Sequence, residues 1–281
     1  MIELKVNDYY KVLDLFQNVD INTLFAKSII YRQIPGAVYA DNDKEPSTFY
    51  IAHPYGMSLL LGSTENKNFN TELYHYMVNK NNVRKKNEWL QVFPNTWNDV
   101  IKAILGSLLV INEPINNEAL ITKDIGNKVI ENTRINFTFD NSQYRNVIMN
   151  SNTPSYEIVK TTKEMFCKIQ GSVIPKYYWS DEEQFDRNGI GFSSIYDGEI
   201  AATAFSAFRY EKQLEIGIET LEKYRGKGFA FKVCSTLIDY CLKNNLEPIW
   251  SCRKENEGSY KLAQSLGFVP TISIPYYRLV V

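Results

Sequence analysis

The stretch Leu221-Glu222-Lys223-Tyr224-Arg225-Gly226-Lys227-Gly228-Phe229-Ala230 lies between a segment with the alternation of a strand, Leu214 to Leu221, and one with the spacing of a helix, Phe229 to Asn244. Phe229, Val233, Leu237, Cys241 and Ala230, Cys234, Ile238 fall on one face of that helix, which marks it for burial. The first backbone N–H groups of a helix have no intrahelical partner, and the helix dipole favours negative charge there. Gly226 and Gly228 remove the side chains that would keep a diphosphate from the backbone, and Arg225 and Lys227 add cationic donors. The stretch suits a pyrophosphate. A Rossmann fingerprint starting at Gly226 wants a small residue where Phe231 stands, and a P-loop wants Ser or Thr where Gly228 follows Gly226-Lys227.

Outward from this turn, Ile190 to Tyr196, Glu199 to Phe208 and Leu214 to Leu221 read as three successive strands, the first two joined by Asp197-Gly198, a two-residue hairpin signal. A strand around Ile249 to Cys252 and a helix from Glu257 to Leu266 follow, with Asn256 suited to the N-cap. Upstream, Tyr156 to Lys160 reads as a strand, and Lys163 to Gln170 and Ser180 to Arg187 as helices. The first part of the chain is also mixed. It has helical spacing over Tyr9 to Val19, strands at Ala37 to Ala40, Thr48 to Ala52, Met57 to Gly62 and Trp89 to Phe93, and helices over Thr71 to Val83 and Thr96 to Gly106. Pro114 to Asn117 is a loop. A length of 281 residues exceeds the usual single domain, and a boundary near 125 to 132 is expected, giving domains 1–128 and 129–281.

Arg225, Gly228 and Ala230 fill the fixed positions of the motif Arg/Gln-x-x-Gly-x-Gly/Ala, and Asn256 precedes a helix that ends in Leu266-Gly267-Phe268. In order and spacing this resembles the GCN5-related N-acetyltransferase (GNAT) superfamily. Tyr178-Trp179-Ser180, Gly189-Ile190-Gly191-Phe192, Glu215 to Thr220 and Pro248 to Cys252 resemble the two-domain GNAT acetyltransferases that include zwittermicin A resistance-type proteins. The resemblance implies an α/β (α+β) fold, a C-terminal GNAT domain with a mixed, splayed central sheet flanked by helices, and an N-terminal domain that is a degenerate GNAT-like half. It also implies acetyl-CoA as co-substrate, an amine acceptor and no metal. The coenzyme would meet backbone groups of Thr220 and Leu221, the turn Arg225, Gly226, Lys227, Gly228, Phe229 and Ala230, and Asn256 with Ser259 at the next helix start. Ser259 equally suits packing or hydrogen bonding there. Many GNAT enzymes place a tyrosine acid seven residues after the asparagine; here that position is Ala263, which leaves Tyr260, Ser259, Cys252 or solvent to protonate the leaving thiolate.

Along Leu214 to Leu221, Leu214, Ile216 and Ile218 share one face and Glu215, Gly217 and Glu219 the other. A carboxylate in a covered strand is costly unless paired, hydrated or useful. Glu219 is the first candidate base and Glu215 the second, with Gly217 leaving room beside them; the alternative is that Glu219 pairs with a local arginine or backbone group and only shapes the site.

A net charge of −1 supplies no basic field for nucleic acid, and Arg84-Lys85-Lys86 reads as a solvated helix end. No signal peptide or apolar run long enough for a bilayer is visible, so a cytoplasmic protein is expected. Cys234 and Cys241 read as core residues, and His53 and His75 are too few and too distant to suggest a zinc site or a serine–histidine pair. The expected partners are therefore acetyl-CoA and a small molecule with a primary amine; a homodimer is compatible with the sequence but not specified by it. Two rivals remain: a coenzyme-binding regulatory protein without chemistry, and a tandem-GNAT aminoacyl transferase using charged tRNA.

Overall fold

In a computed structural model, residues 1–111, 128–150 and 156–281 are described. The Pro114 to Asn117 loop and part of the 125 to 132 boundary lie outside them. The described elements are, in chain order, β1 (Ile2–Glu3), α1 (Leu13–Phe16), α2 (Leu24–Ile30), β2 (Ala37–Ala40), β3 (Thr48–Ala52), β4 (Met57–Gly62), α3 (Lys67–Met77), β5 (Glu88–Phe93), α4 (Trp97–Leu105), β6 (Leu109–Ile111) and β7 (Val129–Phe139). Next come α5 (Asn141–Met149), β8 (Glu157–Lys160), α6 (Lys163–Lys168), α7 (Glu182–Asn188), β9 (Gly191–Tyr196), β10 (Glu199–Tyr210), β11 (Gln213–Thr220), α8 (Phe229–Lys243), β12 (Glu247–Arg253), α9 (Glu257–Ser265) and β13 (Phe268–Leu279).

The chain forms two compact units, each a mixed sheet flanked by helices. The first comprises Met1–Arg134, Arg253–Glu255 and Ser273–Val281, the second Ile135–Cys252 and Asn256–Ile272. A division at 128/129 differs from this chiefly at the C-terminus. There β13 pairs antiparallel with β5, Tyr277 opposite Leu90 and Leu279 opposite Glu88. Arg84 reinforces the join: its guanidinium donates to the carbonyls of Met77, Leu279 and Val280 at 2.9 to 3.1 Å. Reading Arg84-Lys85-Lys86 as solvated thus fails for Arg84, which is buried because those carbonyls need a donor that water cannot supply.

In the first unit the strand order is β1-β2-β3-β4-β5-β13, antiparallel except for the parallel pair β4·β5. In the second it is β12-β11-β10-β9-β8, antiparallel except for the parallel pair β11·β12. The parallel pairs have the same origin in both: a strand, a crossover helix (α3 or α8) and a strand beside the first.

The amphipathic stripe of α8 is buried as its sequence requires, with Phe229, Val233, Cys234, Leu237, Ile238 and Cys241 packed against Leu214, Ile216 and Trp250. Each large side chain so removed from water contributes roughly 1.5–3 kcal/mol. Burial pushes the Cys241 thiol up to about 12 and the Cys234 thiol higher still, so both act as small hydrophobes. Asp197 and Gly198 have φ of 50° and 75°, the left-handed pair that a tight hairpin needs. Helical spacing over Tyr9 to Val19 resolves into a 3-10 stretch, Val6–Val12, and the short α1.

Candidate coenzyme and acyl-transfer site

At the end of β11 the chain enters a 3-10 turn, Glu222–Tyr224, and then Arg225 to Gly228 before α8 begins. Gly226 and Gly228 have φ of 75° and 87°, where an L side chain is strained, so the two glycines make the bend. Among the described residues nothing accepts a hydrogen bond from the N–H groups of Gly226 to Phe231; Lys232 is the first to bond back, to the Gly228 carbonyl at 3.2 Å. The turn is braced from its carbonyl side: the Tyr156 hydroxyl donates to the Lys227 carbonyl at 2.6 Å. Beneath it the Phe229 ring packs against Tyr156, Tyr196 and Tyr224. Free donors at a fixed helix end, exposed on one side, fit a diphosphate.

The turn's cations divide. Lys223 is committed to Glu199, which also accepts from the Tyr224 hydroxyl at 2.7 Å. Lys227 lies over the Tyr224 ring, 5.4 Å from its centroid. Arg225 reaches back to the strand end, its Nε donating to the Thr220 carbonyl at 3.3 Å and its guanidinium standing 3.8 Å from Glu219.

The sheet opens beside this turn. Parallel pairing of β11 with β12 runs from Gln213 opposite Glu247 to Glu215 opposite Ile249, and among the described residues no strand pairs with Ile216 to Thr220 on that side. Antiparallel pairing with β10 continues along the other edge to Thr220 opposite Ala202. The Leu221 N–H donates to Ala201 at 3.0 Å, so the alternation of the ladder turns Glu219 and Gly217 toward β10 and Ile216, Ile218 and Thr220 toward the opening. The expectation that Leu221 offers its backbone is therefore corrected: its N–H is taken by Ala201 and its carbonyl by Tyr224. The Ile218 backbone faces the opening instead. The Thr220 hydroxyl is buried and has no partner among the described residues.

The first unit shows what removes such an opening. Its equivalent pair β4·β5 is zipped from Met57 opposite Trp89 to Leu61 opposite Phe93. Its equivalent helix, α3, is closed by Asn66, whose side chain accepts from Phe69 N–H at 3.1 Å. Neither a free strand edge nor an uncapped glycine turn is present at that place.

Of the remaining candidates, Glu219 lies at the end of β11 with its carboxylate occupied. Its Oε2 accepts from Ser172 N–H at 2.7 Å, Val173 N–H at 2.9 Å and the Ser172 hydroxyl at 3.2 Å, and its Oε1 accepts from Thr220 N–H at 3.2 Å. Glu215 is buried where the β11·β12 pairing ends. The room expected beside Gly217 is filled instead by the Phe205 ring, which would stand 2.5 Å from a Cβ there. Asn256 caps α9 by accepting from Ser259 N–H at 3.2 Å, while the Ser259 hydroxyl accepts from the buried indole of Trp250 at 3.2 Å. Tyr260 packs edge-on against Phe137, 5.4 Å between centroids, and Ala263 is fully buried. A cavity of about 290 Å³ adjoins the strand end, lined by Lys168, Gln170, Glu199, Thr203, Glu219 and Leu221 among others.

The family model for GNAT acetyltransferases matches residues 14–277. The chain belongs to the GNAT acetyltransferase family. Its class of chemistry is acyl transfer. It is 28% identical over 271 residues to an uncharacterized N-acetyltransferase, YdfB, of Bacillus subtilis (strain 168), covering 95% of this chain and 94% of that one. In fold it is similar to a GCN5-related N-acetyltransferase-like protein from Streptococcus suis 89/1591, with TM-score 0.69 and 20% identity over 96% of this chain and 98% of that one. A tandem GNAT protein from the clavulanic acid biosynthesis pathway is similar as well, with TM-score 0.57 and 10% identity over 99% and 97%. Among the described residues no helix is long and apolar enough to cross a membrane.

Proposed function

We propose that the protein is an acetyl-CoA-dependent N-acetyltransferase that moves the acetyl group directly to a primary amine of a small molecule, in the cytoplasm. One conjunction carries this reading: unpartnered N–H groups from Gly226 to Phe231 beside an unpaired strand edge from Ile216 to Thr220. The N–H groups of the turn hold the diphosphate, aided by Lys227. The backbone of Ile218 pairs with the pantetheine arm as a further strand would; Thr220, whose N–H and carbonyl are engaged by Glu219 and Arg225, offers its hydroxyl instead. Acetyl-CoA supplies the acetyl group as a thioester.

For the proton of the attacking amine, Glu215 is favoured over Glu219. Oε2 of Glu219 already accepts three hydrogen bonds, which bind it to the Ser172–Val173 segment. Glu215 sits at the fork where the strands part. Solvent protonates the leaving thiolate, since Ala263 offers no acid and the Ser259 hydroxyl faces Trp250.

Calorimetry tests the reading. Acetyl-CoA should bind one site per chain, and Gly228→Glu should weaken it at least a hundredfold; equal affinity would remove the assigned turn. Ala263 also favours a second reading, a coenzyme-binding protein without turnover. A screen of amines with free-thiol detection separates the two, and turnover with any acceptor ends the second. The net charge of −1 weighs against a charged-tRNA substrate.

A further inference from the structure

The cavity of about 290 Å³ at the end of β11 is lined by hydrogen-bond donors that no described residue uses. Thr203 of β10 stands opposite Glu219 of β11 on one side and Ser193 of β9 on the other. Its hydroxyl is hydrogen-bonded to that of Ser193 at 2.8 Å, and Ser193 to that of Thr161 at 2.9 Å. All three side chains are buried. Three hydroxyls carry three protons, and the two links use two of them. The third has no acceptor among the described residues, and of the three residues Thr203 alone lines the cavity. A chain running from Thr161 through Ser193 to Thr203 delivers that proton to the cavity, where a ligand oxygen meets an otherwise unmet buried donor.

Two further donors come from the end of α6. Lys168 and Gln170 line the cavity, and neither side chain has a hydrogen bond or ion pair with any described residue. The segment that carries Gln170 is held in place, because Glu219 accepts from the N–H groups of Ser172 and Val173. Gly171, at φ 140°, permits this approach; a Cβ there would stand 2.4 Å from the Glu219 side chain. The two carboxylates of the lining are already engaged. Glu199 is paired with Lys223 and accepts from Tyr224, and Glu219 accepts four hydrogen bonds. One cation and two neutral donors remain unspent.

We propose that this cavity binds the carboxylate of a small amino acid, with Lys168 countering its charge and Thr203 and Gln170 donating to its oxygens. A single unpaired cation matches a monoanion, whereas a phosphate dianion would bring a second negative charge beside Glu199 and Glu219. Resting on the acyl-transfer reading, the inference names the acceptor class. The amine of the bound amino acid extends past Thr220, which lies between Glu219 and Leu221 of the lining, toward the opening beside β11.

The full-length protein is given acetyl-CoA with two matched pairs of amines, γ-aminobutyrate with butylamine and L-ornithine with putrescine, and free thiol is measured. Binding of the same four amines without acetyl-CoA is read by saturation-transfer NMR. The carboxylated member of a pair should bind more tightly and show kcat/KM at least tenfold higher. Lys168→Met, at an exposed position, and Thr203→Val, which keeps the side-chain shape, should each cut that preference at least fivefold. Turnover without preference overturns the carboxylate site and leaves acyl transfer standing. Carboxylate binding that Lys168→Met weakens, with no turnover of any amine, keeps the site and removes the acyl-transfer reading. No preference in either assay, a preference that both variants retain, or displacement of γ-aminobutyrate by equimolar inorganic phosphate overturns the inference.

Discussion

Replacing Glu219 by glutamine separates two roles that one carboxylate can play at the end of β11. The glutamine oxygen can keep the Ser172 and Val173 donors, but its NH2 group then faces Thr220 N–H, which stood 3.2 Å from Oε1. One hydrogen bond to a charged group is lost, worth about 1.5–3 kcal/mol. Arg225 is 63% exposed at 3.8 Å, so loss of that pairing adds only about 0–1 kcal/mol. A total of about 1.5–4 kcal/mol corresponds to a fall in Tm of roughly 3–16 °C for a protein of this size. Calorimetric melting and the pH dependence of acetyl transfer, measured on the same preparation, form the assay. Glu219→Gln should melt early, keep kcat within about tenfold and retain the acidic limb of the pH–rate profile, whereas Glu215→Gln should lose about 10²–10⁴-fold in kcat together with that limb. If Glu219→Gln melts like the parent but loses both rate and limb, Glu219 is the base and the assignment to Glu215 is refuted.

Gly217→Ala puts a Cβ within 2.5 to 3.0 Å of the Phe205 ring and should destabilise by about 1–3 kcal/mol in urea unfolding, with acetyl-CoA affinity little changed. Asn256→Ala removes the cap on Ser259 N–H and should cost about 1 kcal/mol in the same measurement. Burial, with a smaller effect of Lys86, holds His53 down at about 3 from an ordinary 6.5. The folded state therefore binds fewer protons than the unfolded one between those values. The His53 contribution should be complete above pH 6.5 and decline as pH falls toward 3. His53→Gln should flatten that part of the stability–pH curve, and an unchanged slope would contradict it.

Much of the second unit was legible because its elements follow from local chemistry. Alternation along Glu199 to Phe208, the Asp197-Gly198 turn and the stripe of α8 each depend on near neighbours, and the structure places them where spacing put them. Other features were missed. β7 and α5 were not anticipated, although Ile135, Phe137 and Phe139 alternate with polar residues and Asp140 caps the helix through its side chain. Nor was α2, a short helix buried on nearly every side and therefore without an amphipathic pattern. Arg84 deceived because two lysines follow it, and only contact with the distant carbonyls of Leu279 and Val280 shows it to be buried.

By itself the sequence determined the helix-end turn from Arg225 to Ala230, the order of strands and helices around it and, through the motif residues, the family resemblance. A helix terminus and a glycine pair carry their physics within a few residues. The tertiary structure alone decided which backbone groups beside that turn are free. Leu221 is bonded to Ala201 and Ile218 faces the opening, the β11·β12 pair parts at Glu215, and the equivalent β4·β5 pair stays zipped. The reason is that a peptide group in a sheet is satisfied by whichever strand lies beside it, and that neighbour is set by packing between segments far apart in the chain.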